Sequence, residues 1–209
     1  VADTEGISRF ELSFTPAPPP PNECLTELNG WRALLYRLGL TGRDTERYAG
    51  LAYGNVSIRS TGKTFLVSGT QTGGKPWLTA ADYCLVEDYD LAAHALSARG
   101  PIRPSSEALT HAAAYLAHPD IRCVLHVHSP ELWRWRDTLG ILRTAPDIPY
   151  GTAAMAHAIQ TLARNNPAQV VCMGGHVDGF IAFADSVENA TVHLLRLITR
   201  MWSLEHTQS

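Results

Sequence analysis

The feature that most constrains this chain is "CVLHVHSP", residues 123 to 130, an apolar run with two histidines one residue apart that ends at Ser129-Pro130. Cys123, Val124, Leu125 and Val127 read as a strand, in which residues i and i+2 share a face about 6.5–7 Å apart. His126 and His128 therefore point to the same side. Two neutral imidazoles are costly to bury together unless something satisfies them. They can converge on one cation through bonds of ~2.0–2.1 Å. Taken alone, the pair fits a metal site and a hydrogen-bonded strand end equally well.

The neighbouring segments narrow this choice. "PSSEALTH", Pro104 to His111, comes just before the strand, joined to it through an alanine-rich run and "HPDIR". It reads as a helix start, with serine at the cap and Glu107 in the first turn. Glu107 and His111 are four residues apart and share a helix face. Elsewhere that would be an ordinary solvated pair; here the carboxylate can face the histidine strand. Ser105 and Ser106 offer hydroxyls and N–H groups to an anion at the helix start. His176, in "MGGHVDGF", follows an apolar strand in a glycine turn that can hold its ring over a strand end. The turns at Gly54-Asn55 and Ser68-Gly69-Thr70 expose backbone donors of the kind that cradle phosphate, or simply make turns.

The rest of the chain supplies one scaffold for these residues. Leu25, Leu28, Trp31, Leu34, Leu35 and Leu38 recur at helical spacing. "GNVSIRS" and "TFLVSG" predict a hairpin turning at Thr61-Gly62-Lys63. Thr79 is placed to cap a short turn before a strand at "YCLVED". "GTAAMAHAIQTLARN" predicts a helix, and "AQVVCMGG" and "GFIAFA" predict strands. Asp185 to Glu188 has the form of a capping box opening a final helix to about Leu204. Short strands, hairpins and long helices together predict an α/β sandwich whose sheet is not purely parallel. "FTPAPPPP" predicts an extended N-terminal arm over residues 1–21, with one domain over 22–209.

At 209 residues the chain is long enough to bury a real core. A net charge of -3 with no block of like charges argues against nucleic acid or an anionic membrane as partner. No apolar run reaches the ~20 residues of a spanning helix, and the first residues lack the layout of a secretory signal. The four cysteines, Cys24, Cys84, Cys123 and Cys172, contain no CxxC pair, and three lie in apolar runs. Reduced core thiols and a cytoplasmic location are expected.

In order and spacing, these motifs resemble the class II aldolase/adducin family, which includes enzymes of the L-fuculose-phosphate aldolase type. The matching elements are Gly54-Asn55-Val56-Ser57, Ser68-Gly69-Thr70, Ser105-Ser106-Glu107 with His111, His126-Val127-His128, and His176, in a likeness running from about Cys24 to Leu204. The resemblance implies a three-layer α/β/α sandwich with a central, mainly antiparallel sheet, and a homotetramer with sites at subunit boundaries. It implies that His126, His128 and His176 bind a divalent metal, zinc above cobalt, manganese or iron. Glu107 would be the acid/base, with His111 behind it. Gly54, Asn55, Thr70, Ser105 and Ser106 would hold the phosphate of a small sugar-phosphate-like substrate.

The implied reaction is retro-aldol cleavage of a hydroxy-carbonyl compound through an enediolate. Dehydration or epimerisation of a ketose phosphate, or a non-catalytic adducin-like scaffold, are the alternatives. An epimerase would need a further aspartate and tyrosine, which the sequence alone does not place. Two departures fall on the phosphate cradle. Ala52 stands where the family usually has a hydroxyl residue, and the loop Ser68 to Gly74 lacks the usual proline. A phosphorylated substrate is therefore less secure than the metal.

Overall fold

The structure, a computed structural model, describes residues 9–207. In chain order it contains β1 (Glu11–Pro16), α1 (Thr26–Arg37), β2 (Gly42–Arg43), β3 (Ala52–Tyr53), β4 (Asn55–Arg59), β5 (Phe65–Ser68), β6 (Tyr83–Asp90) and β7 (Ala95–Gly100). There follow α2 (Ala108–Ala117), β8 (Cys123–His128), α3 (Pro130–Trp135), β9 (Leu142–Arg143), α4 (Ala153–Asn165), β10 (Gln169–Cys172), β11 (Gly179–Ala184) and α5 (Val187–Thr207).

Nine strands form one sheet in the order β1-β7-β6-β5-β4-β8-β11-β10-β9, and β2 and β3 form a small separate ribbon. The sheet is mixed, where a mainly antiparallel one was expected. Neighbours pair antiparallel from β7 through to β10, but β1 runs parallel to β7 and β9 parallel to β10. The reason is connectivity. Parallel neighbours need a long crossover; α4 supplies it between β9 and β10, and β1 comes from the distant N-terminal segment. The Pro-rich stretch is thus not loose throughout, since Glu11–Pro16 adds an edge strand to the sheet. Residues 1–8 of the expected arm lie outside the described residues.

Strand β8 lies inside the sheet, paired with β4 on one side and β11 on the other, and all six of its residues are buried. Its side chains alternate between two cores. Cys123, Leu125 and Val127 pack with Leu28 and Leu35 of α1, Leu132 of α3 and Leu194 of α5. Val124 packs with Leu109 and Ala113 of α2 and Ile159 of α4 on the opposite side. Burying each large apolar side chain contributes ~1.5–3 kcal/mol, so a one-residue slip of β8 would disrupt both cores. The same alternation sends His126 and His128 to the α2 side of the sheet, after Val124.

Two helix starts differ from expectation. The cap of α2 is Glu107 itself, with Ser105 and Ser106 in the turn before it; the Ser105 hydroxyl accepts from the Glu107 N–H at 3.3 Å. At α5 the Ser186 hydroxyl accepts from the Asn189 N–H at 3.1 Å, and Asp185 accepts from the Asn189 side chain instead of closing a box with Glu188. At Thr79 the predicted cap is present, with Asp82 reciprocating. Arg32, only 2% exposed on α1, was invisible to pattern reading. Its guanidinium donates to the carbonyls of Thr72 at 3.1 Å and Gly73 at 2.6 Å, and to that of Lys75. Hydrogen bonds from a charged donor contribute ~1.5–3 kcal/mol each. This residue clamps the loop after β5 to α1.

Candidate metal centre

His126, His128 and His176 meet in one nest. Each offers a ligand atom, and these atoms all lie within 4.8 Å of one another. Strand β8 supplies the first two. The third comes from the turn between β10 and β11, where the His176 N–H donates to the Met173 carbonyl at 2.7 Å and Gly179 N–H returns to the His176 carbonyl at 2.9 Å. Gly175 is required there: a Cβ would sit 1.9 Å from the Ile148 carbonyl oxygen. Gly54, at φ +79°, serves the β8 side, since a Cβ would press on Thr41 at 2.7 Å and on the His126 carbonyl at 3.1 Å.

His126 is arranged to present a lone pair inward. His126 Nδ1 lies 3.0 Å from the Phe180 carbonyl, which can only accept, so Nδ1 carries the hydrogen and Nε2 is left as an acceptor. The Nε2 atoms of His126 and His128 face each other at 3.2 Å. Two nitrogens bound tetrahedrally to one ion at ~2.05 Å each stand ~3.3 Å apart. The donor set and spacing therefore fit a divalent cation. Burial, then the His176 ring, holds the pKa of both His126 and His128 well below the ordinary histidine value. They are neutral, as ligands must be.

Glu107 is 1% exposed at the start of α2, and its Oε2 accepts from the Thr110 hydroxyl at 2.7 Å. His111, one turn later, is fully buried; its Nδ1 lies 2.7 Å from the Ser57 hydroxyl, which also contacts Tyr115 Oη at 2.7 Å. Burial pushes its pKa down to about 3, and it is near enough to His126 to disfavour a charge there. Ser57 of the GNxS motif thus braces His111, while Asn55 stands opposite His126 in the β4–β8 register. Gly54, Asn55, Thr70, Ser105 and Ser106 converge on one small cavity with Ala52, Gly69, Gln71 and Gly73.

Sequence reading missed an aromatic ring around the histidines. Tyr48 and Tyr53 lie 4.7 and 5.4 Å from the His128 ring, and Tyr150 stacks on His176 at 4.3 Å. The Tyr48 hydroxyl donates to Asp178 Oδ2 at 2.9 Å, and burial and that carboxylate together push the phenol far up. Tyr48, Ala49 and Asp178 are all left-handed, at φ 54°, 55° and 62°. Such residues cost ~1–3 kcal/mol each and cluster at functional sites. The available signal was the acid in "HVDG", two residues from His176; nothing local pointed to Tyr48.

The model for "Class II Aldolase and Adducin N-terminal domain" matches residues 43–201. The chain belongs to that family. Among solved structures it is similar to a sugar-phosphate aldolase from Thermotoga maritima, at a TM-score of 0.68 and 15% identity over 89% of this chain and 95% of that one. It is also similar to L-fuculose-1-phosphate aldolase from Thermus thermophilus, at 0.63 and 19% over 86% and 91%. These likenesses establish the fold. A methylthioribulose-1-phosphate dehydratase from Xanthomonas euvesicatoria pv. vesicatoria is 46% identical over 46 residues, 22% of this chain and 19% of that protein. The match thus spans about a fifth of the curated relative's length.

The buried neutral histidines set an acid limit on the metal-free protein. Their folded pKa values lie below the unfolded value of about 6.5, so below it the unfolded chain takes up protons that the folded one refuses. Stability is full above that pH and falls as pH drops toward 3, the folded value of His111, by ~1.4 kcal/mol per pH unit for each such imidazole. Urea midpoints of metal-free protein should fall steeply from pH 6.5 to 5. A flat midpoint there would mean the rings are not held neutral.

Proposed function

We propose that this chain is a metal-dependent lyase performing retro-aldol cleavage of a small hydroxy-carbonyl compound. The observation that carries this reading is the buried triad of His126, His128 and His176, with Nε2 of His126 fixed as an acceptor by Phe180. A divalent cation held there, zinc by preference for three nitrogens, supplies Lewis acidity toward a carbonyl and its adjacent hydroxyl. Three protein ligands leave positions open, as a catalytic site requires. Glu107 carries the proton to and from the carbon beside the carbonyl. The cavity of Gly54, Asn55, Thr70, Ser105 and Ser106 receives the far end of the substrate.

The local dehydratase match supports a second reading, loss of water from the same kind of substrate. Tyr48 and Asp178 supply the residue types an epimerase needs, but they are bonded to each other and act as one unit, which does not favour epimerisation. We also read the protein as a cytoplasmic homotetramer. Among the described residues no helix is long and apolar enough to cross a membrane. All four cysteines are free, and Val177, beside His176, is 56% exposed, an apolar group for a neighbouring subunit to cover.

The test is to load purified protein with zinc and incubate it with a panel of hydroxy-carbonyl compounds, with and without phosphate. Cleaved pairs by mass spectrometry are the expected products. Loss of water alone would replace the lyase by the dehydratase, and an absence of bound metal would leave the scaffold.

A further inference from the structure

The hairpin loop Asp44 to Leu51 joins β2 to β3 and lies against the metal centre. None of its residues is fully buried, whereas His126, His128 and His176 are at most 1% exposed. The loop therefore stands between His128 and solvent, and Tyr48 is its inward side chain. The Tyr48 ring meets that of His128 edge to face, 4.7 Å away at 73°. At the loop tip Tyr48, Ala49 and Gly50 are left-handed in succession, at φ 54°, 55° and 72°. Residues with a Cβ are strained there, so the conformation needs a restraint from outside.

Inside the loop the bonds are short-range. Asp44 accepts from the Glu46 N–H at 2.9 Å and from the Arg47 side chain at 2.5 Å. The Gly50 and Leu51 N–H groups donate to the Arg47 and Tyr48 carbonyls at 3.0 and 3.1 Å. Among the described residues, the bond from the Tyr48 hydroxyl to Asp178 Oδ2 at 2.9 Å is the one hydrogen bond that ties residues 44–51 to the chain beyond the β2–β3 ribbon. Asp178 stands at φ 62°, two residues after His176. Its carbonyl accepts at 2.9 Å from the N–H of Ser129, the residue after His128. One residue thus joins the end of β8, the His176 turn and the loop. The His128 and His176 rings that it spans are 4.7 Å apart.

We propose that Tyr48 is a positioning residue for the metal centre: its hydroxyl, held by Asp178, latches the 44–51 loop over His128 and fixes that ring and His176 at the separation a shared cation needs. This rests on the reading of the triad as a metal site. Without the hydroxyl bond nothing outside the loop restrains its left-handed turn, which relaxes and takes the ring away from His128.

Zinc affinity, measured by competition with a chromophoric chelator, and the absorption spectrum of the cobalt-substituted protein read the latch without any assay of activity. Tyr48→Phe keeps the ring and loses the hydroxyl; Asp178→Gly keeps the left-handed backbone and loses the carboxylate. Each should weaken zinc binding by at least ~10-fold, the scale on which groups outside the ligands act, and change the cobalt spectrum. The double variant should be no weaker than either single one, since all three remove the same bond. Asp178→Asn retains an oxygen that accepts from Tyr48, on a residue type that tolerates the left-handed region, and should restore wild-type affinity and spectrum. A bond that serves folding alone would lower the melting temperature of the metal-free variants and leave affinity and spectrum at wild type. That result overturns the proposal, as would additive losses in the double variant or an Asp178→Asn protein as weak as Asp178→Gly. No zinc uptake by wild type itself would remove the metal centre and the latch with it, a result distinct from a loss confined to the variants.

Discussion

Glu107→Gln should lower kcat by ~10²–10⁴-fold, the usual contribution of a positioned acid/base, or ~2.7–5.4 kcal/mol of barrier. Zinc content and KM should stay near wild type. The substitution is chosen for shape. Gln has the same length, and its amide oxygen can still accept from the Thr110 hydroxyl that now bonds Glu107 Oε2 at 2.7 Å. What it lacks is an atom that can take up and return a proton. The histidine triad does not include Glu107, so metal uptake is a control on the fold of the site. Steady-state kinetics on the substrate found by product analysis, with metal analysis of the same protein, measures both. Full activity in Glu107→Gln would remove the proton-transfer role; lost metal would assign Glu107 to the metal centre.

Local pattern disclosed much of what supports this site. The alternation of Cys123 to His128 gave both the strand and the shared face of its histidines, because period-2 geometry needs no partner to be read. The hairpin around Gly62, the Thr79 cap and the helix at 153–165 were legible for the same reason. Strand β1 was not, because its partner is Ala95–Gly100, about eighty residues away, and the prolines that follow it disguise an edge strand as a loose arm. The cap of α2 falls on Glu107 where a serine was expected, since two adjacent serines and a glutamate all suit that position. Tyr48 and Gln71 escaped notice for a deeper reason. Each is set by a left-handed backbone and a contact formed only when distant loops close, with Asp178 in one case and Ala52 in the other. Propensity describes neither.

His126→Ala should abolish near-stoichiometric zinc and with it the activity. Only two imidazoles of the triad remain, and the alanine leaves an opening between Asn55 and Ile181, its partners across the two ladders. The change also appears in stability. A metal held only by the folded state at ~100 times its Kd adds ~2.7 kcal/mol, which for a chain of this size is roughly 5–10 °C in Tm. Wild type should show that gain on zinc addition, and His126→Ala should show none. The metal-free variant should meanwhile lose less stability than wild type between pH 7 and 5, because one imidazole that refuses a proton is gone. The two readouts separate the readings open at the start. A histidine that merely hydrogen-bonds the Phe180 carbonyl at a strand end gives the acid effect alone, since burial by itself keeps the ring neutral. A histidine that also grips a cation gives both. Wild-type zinc stoichiometry in His126→Ala would assign His126 to the first kind and take the metal centre out of the lyase reading.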